Sequence, residues 1–163
     1  MNSPDKFEDY LERKIVKKQQ ADKSRAEFLI KTAELSKLDL DNRIKNEGPT
    51  DINSNALIKE AYDLVMGLIR AKMFREGYFS SGEGAHEAEV AFTRKMGFSE
   101  AEVQFLNYLR FIRNGISYYG KILLKEDAQE VINFLKKIYS KLRENLRWNS
   151  KTSSIIQKTR KKQ

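Results

Sequence analysis

A chain of 163 residues, 40% of them hydrophobic and none of them Cys, is long enough for one buried core and excludes disulfides, thiolate metal sites and cysteine nucleophiles. The formal net charge of +8 is unevenly placed: from Lys136 onward stand ten basic residues against a single acid, Glu144, so the cations belong to the C-terminal end. No apolar run approaches the ~18 residues of a membrane span, and residues 1–5 are polar and soon acidic, unlike a secretory signal; the expectation is a cytoplasmic protein with no membrane partner.

With 2 Pro, 8 Gly and long stretches of helical periodicity, the chain reads as all-α, an up-and-down bundle of about five to six helices. Residues 1–148 form one helical domain, with an edge helix over 4–20 and the core bundle over 22–148. In the edge helix Phe7, Tyr10, Leu11 and Ile15 make a narrow stripe, expected to pack at the rim of the domain or against a partner. From 22 to 44, Ala26, Leu29, Ile30, Ala33 and Leu40 return at helical intervals, and no Gly or Pro decides whether residues 4–45 are one helix or two. Gly48-Pro49 is the first clear break.

Residues 51–75 carry the widest apolar face, from Leu57 to Met73, and predict a helix through the core that ends at Gly77 as its C′ residue. Residues 78–84 read as a mobile loop and lack the Lys-Ser/Thr pair of a phosphate-binding P-loop. A shorter helix over 85–96 opens at His86, read as a capping or packing residue, and closes at Gly97. Ser99 and Glu102 then form a capping box for the next helix. The last helix spans 126–148, with Ala128, Val131, Ile132, Leu135, Ile138, Leu142 and Leu146 on its inner face. Residues 149–163 are a basic, disordered tail.

Between the capping box and the last helix, Phe105, Leu109, Ile112, Ile116 and Tyr119 form one apolar stripe. Arg110, Asn114 and Tyr118 follow at i+4 spacing beside it, with Arg113 and Ser117 in a parallel row. Arg113-Asn114-Gly115-Ile116-Ser117-Tyr118 resembles the motif of the HEPN superfamily, in which an Arg, commonly followed by Asn, precedes a His by four to six residues. Tyr118 stands where that His would be, and no other His lies within the motif. The resemblance covers roughly residues 55–146. It implies a HEPN-like bundle that dimerises through its motif helices; catalytic members cleave RNA without metal at a cleft between two protomers. His86 resembles a His that many such domains place at that helix start. A Tyr that is modified in members paired with a nucleotidyltransferase would fall at Gly120, so that feature is absent.

General base catalysis on a ribose hydroxyl needs a group that titrates near neutrality, which His supplies and an ordinary Tyr does not. Losing the base while keeping the cation preserves binding better than cleavage. The leading expectation is therefore a non-catalytic or weakly active homodimer that binds RNA or a nucleotide. Its binding residues would be Arg110, Arg113, Asn114, Tyr118 and Tyr119, helped by Lys158, Arg160, Lys161 and Lys162 of the tail. The alternatives are a protein-interaction module for a separate partner such as a nucleotidyltransferase, and a metal-independent endoribonuclease using Arg113, Asn114 and Tyr118. A plainer reading has Arg113 closing the last turn of its helix and pairing with a carboxylate, while Tyr118 and Tyr119 pack against the final helix; Gly115, costly in mid-helix, points instead to function or to a close neighbour such as a second copy. No residue cluster calls for a metal or a cofactor.

Overall fold

The computed structural model describes residues 3–147. The tail cations Lys158, Arg160, Lys161 and Lys162, like Trp148, lie outside the described residues. Six α-helices make up most of the rest: α1 (Phe7–Glu12), α2 (Lys23–Asn46), α3 (Ser54–Arg75), α4 (Ala85–Phe92), α5 (Glu100–Tyr119) and α6 (Lys125–Leu146). A 3-10 turn, Thr93–Met96, prolongs α4, and two short strands, β1 (Val16–Lys18) and β2 (Tyr78–Ser80), pair antiparallel with Val16 opposite Ser80. The described residues thus form a helical bundle with one small two-stranded sheet.

The central element is α3, whose apolar residues from Leu57 to Phe74 are buried on nearly every side. Around it α2 and α5 run in the opposite direction and α6 in the same one. The amide of Asp22 at the start of α2 donates to the Phe74 carbonyl at the end of α3 (2.9 Å). At the other end, the Lys125 amide that opens α6 donates to Asp51 just before α3 (2.9 Å). Asn55 at the start of α3 holds the turn after α5, donating to the Lys121 carbonyl and accepting from the Leu123 amide. The expected capping box is present, with Ser99 and Glu102 each satisfying the other's backbone amide at the start of α5.

The N-terminal segment differs from the sequence reading. In place of a helix over 4–20, α1 stops at Glu12, Lys14 turns through a left-handed conformation (φ 59°), and Val16–Lys18 extends as β1. Two β-branched residues, Ile15 and Val16, favour that change, and Val16 is 1% exposed. Residues 4–45 therefore hold two helices separated by a strand. Phe7 and Tyr10 are core residues rather than a rim for a partner: the Phe7 ring meets Tyr78 and Phe92 at 5.2 and 5.1 Å. Arg94 straps the segment down, donating to the Pro4 and Asp5 carbonyls and to Glu100.

The stretch read as a mobile loop supplies β2, because its Tyr-Phe-Ser run finds β1 some sixty residues earlier in the chain. Gly77 is the expected C′ residue of α3, with φ 76°, and a Cβ built there would stand 2.5 Å from the Gln19 carbonyl oxygen. Only glycine fits where β1 leaves the sheet so close to the end of α3.

Along α5 the apolar stripe is deep at Leu109 and Ile112 and fades towards the C-terminus. Phe105 is half-buried with its ring 4.1 Å from that of Phe134, whereas Tyr119 is 85% exposed and does not belong to the core. Leu123, from the turn after Gly120, buries in its place.

Candidate functional site

The polar residues of α3 converge with those of α4 and α5 in one corner. Asp63, Gly67 and Arg70 recur at i+4 and i+7 on α3, and Tyr62 sits beside them facing inward. His86, Glu87 and Glu89 come from the start of α4, which Gly84 opens in a left-handed conformation (φ 82°). Arg110 and Arg113, one turn apart, come from the middle of α5.

Three arginines here are held to three carboxylates with very different firmness. Arg70 donates from Nε and Nη2 to the two oxygens of Glu89, both at 2.9 Å, and Glu89 also accepts from Ser80 Oγ at 2.7 Å. This bidentate pair ties α3, α4 and β2 together, and Glu89 is 3% exposed. Burial alone would lower the Arg70 guanidinium, but the Glu89 contacts outweigh it and hold its pKa above the ordinary value. By contrast, the nearest approaches of Arg110 to Glu87 and of Arg113 to Asp63 are both 3.9 Å, beyond hydrogen-bond length. Arg110 donates through Nε to Asn107 and stacks on Phe111, 4.5 Å from its ring centre. Arg113 lies 5.7 Å from the Tyr62 ring centre, and its buried Nε has no hydrogen-bond partner among the described residues.

His86, the chain's only histidine, stands in this corner although it is far from the motif in sequence. Its Nε2 is 3.2 Å from an Arg70 Nη2, and its Nδ1 is 3.2 Å from the Tyr62 hydroxyl. A guanidinium only donates, so Nε2 must accept, which puts the ring proton on Nδ1, donating to Tyr62. Burial pushes the His86 pKa down, and Arg70, Arg113 and Arg110 push the same way against Glu89. The Tyr62 phenol is pushed up to about 12, by burial first and then by Glu89. The result is a neutral imidazole with both nitrogens engaged, among three arginines and the three carboxylates that face them, and poorly placed to take a proton.

The other motif residues are spread around α5. Asn114 is half-buried. Tyr118 is 72% exposed and, five residues beyond Arg113, points about 140° away from it around the helix. Within one chain Arg113 and Tyr118 therefore do not meet, and Tyr119 is more exposed still. The neighbour that Gly115 admits comes from its own chain: a Cβ there would stand 3.3 Å from Cδ of Lys121. The carboxylate partner expected for Arg113 is Asp63, at the loose distance given above.

Sequence reasoning left Tyr62, Asp63 and Arg70 out of the site, and it set aside Glu87 and Glu89 beside His86 because, two residues apart, they do not share a helical face. A signal was there, since Asp63 and Arg70 are charged residues seven apart in the helix with the widest apolar face, with Gly67 on the line between them. Among the described residues no group of three His, Asp or Glu side chains is placed to hold a metal ion, and no helix is long and apolar enough to cross a membrane. No protein-family model, curated protein or solved structure matches the chain, so its reading rests on this geometry.

Proposed function

We propose that the protein is a HEPN-like domain that acts as a homodimer and holds RNA or a nucleotide through its phosphates, without cleaving it efficiently. One observation carries the reading: Arg113, whose buried Nε has no hydrogen-bond partner among the described residues and whose carboxylate is no closer than 3.9 Å, keeps donors to spare beside Arg110, whose Nε is held by Asn107 but whose carboxylate is as distant. A phosphate arriving at this corner displaces two weak contacts and gains charge-assisted hydrogen bonds in return. The firm Arg70–Glu89 pair stays as the frame. Cleavage is disfavoured because His86 accepts from Arg70 and donates to Tyr62, leaving no free base at the phosphate.

Dimerisation is supported by the outer side of α5 and the turn beyond it, where Phe111, Tyr118, Ile122 and Leu124 are exposed. Phe111 and Tyr118 are seven residues apart on one helical line that passes through Gly115. A second copy packed there would also bring one protomer's Tyr118 towards the other's motif helix. A protein-docking role is the second reading, favoured by a separate exposed apolar line of Phe28, Leu35 and Leu38 on α2.

The test is retention of labelled single-stranded RNA by the full chain at low salt, compared with Arg113→Ala. Loss of retention in the variant supports phosphate binding at this corner. Equal retention by both proteins, or none by either, contradicts it.

A further inference from the structure

The groove between α2 and α3 joins the phosphate corner through shared residues. It has a volume of about 510 Å3 and is lined by Leu29, Thr32 and Ser36 of α2 and by Asp63, Gly67 and Arg70 of α3. Asp63 is the loose partner of Arg113, and Arg70 is the partner of His86 and Glu89, so both charged residues face the corner as well as the groove.

Gly67 has no structural reason to be glycine. It lies near the middle of α3, where glycine is the costliest residue after proline, its φ is an ordinary helical one, and a Cβ built on it would meet nothing within 4 Å. Gly77 and Gly115, in contrast, each have a close neighbour. Gly67 lies on the least buried line of α3, with Ala56, Glu60, Asp63 and Arg70, and the open space above it belongs to the groove. The groove's walls say what that space suits: Leu29 offers an apolar surface to a flat ring, Thr32 and Ser36 offer hydroxyls, the Asp63 carboxylate accepts from amino groups, and Arg70 stands at the end nearest the phosphate corner. The volume falls within the range of small-molecule pockets.

We infer that the α2–α3 groove seats a base of the ligand whose phosphate lies at Arg113, and that Gly67 is glycine so that this base approaches α3 closely. This rests on the phosphate-binding reading proposed above and adds to it a place where the base is felt.

The test measures binding of the full chain, by fluorescence anisotropy, to a labelled mixed-sequence RNA octamer and to an abasic octamer of the same length. The native chain should favour the base-bearing strand by about ten-fold or more, the range expected for one seated base. Gly67→Leu and Ser36→Leu, which fill the groove from opposite walls, should each remove that preference and leave abasic affinity within about two-fold. Gly67→Leu should also melt at a higher temperature than the native chain, since it adds a good helix former in open space. Ser36→Leu, on the other helix, serves as the second folded variant. No preference in the native chain, or a preference that survives both substitutions, overturns the groove while leaving Arg113-dependent retention intact. If Arg113→Ala retains both strands like the native chain, the phosphate reading itself falls and the groove assignment with it.

Discussion

Glu89→Gln is the substitution that most directly probes the frame of the site. The Glu89 carboxylate accepts two bonds from Arg70 and one from Ser80, and it is buried while Arg70 remains one-third exposed. Glutamine keeps the size and one acceptor oxygen but removes the charge, and it turns an amide donor towards a guanidinium or a hydroxyl. Removing one partner of a buried pair costs about 3–5 kcal/mol, and the exposure of Arg70 brings the expectation down to about 2–3 kcal/mol. Against the roughly 5–15 kcal/mol of a typical domain, that is a clear shift in a urea transition followed by circular dichroism, with unchanged slope. The double variant Arg70→Met/Glu89→Leu should recover much of the loss, because no uncompensated buried charge remains. A Glu89→Gln protein within about 0.5 kcal/mol of the native chain, the range of ordinary surface changes, would refute the claim that this pair organises α3, α4 and β2.

Three further outcomes follow from the same geometry. Gly77→Ala should lose about 2–3 kcal/mol in the same urea assay, since it combines a left-handed backbone with a Cβ against the Gln19 carbonyl; a loss below about 1 kcal/mol contradicts that packing. The His86 pKa is depressed by burial and the three arginines, so the unfolded chain takes up the proton first. Its contribution is complete above the unfolded value near 6.5 and declines as pH falls below it, so native stability should drop between about pH 7 and 5, whereas His86→Phe should be nearly flat there. An equal slope in both proteins removes His86 as the cause. Phe111→Glu and Tyr118→Glu should convert the dimer to monomer in sedimentation equilibrium while leaving helix content unchanged; a native chain that sediments as a monomer ends the dimer proposal.

Local patterns were legible in the sequence, and long-range partners were not. The capping box at Ser99, the C′ glycine at Gly77 and the wide face of α3 all depend on residues within a few positions of one another, and each appears where periodicity and end signals put it. The β1–β2 pair escaped notice because neither three-residue strand has a distinctive pattern alone, and a stripe of Phe7, Tyr10 and Ile15 fits a helix until Lys14 turns the chain. The site shows the same division. Arg113 was singled out by its motif, yet its surroundings come from Asp63, Arg70 and His86, which only the packing of three helices brings near. Periodicity also overran at Tyr119, whose helical angle matches the core stripe although no element among the described residues covers that last turn.

The most direct test of the central claim follows retention and cleavage of one labelled single-stranded RNA in the same samples, for the native chain, Arg113→Ala and Arg113→Lys, across a salt series. The account predicts that the native chain retains the RNA intact, with affinity falling as salt rises. Arg113→Ala should bind at least about ten-fold more weakly, and Arg113→Lys should fall between the two, since an ammonium keeps the charge and loses the fork. Efficient Arg113-dependent cleavage by the native chain, or retention indifferent to residue 113, would contradict it.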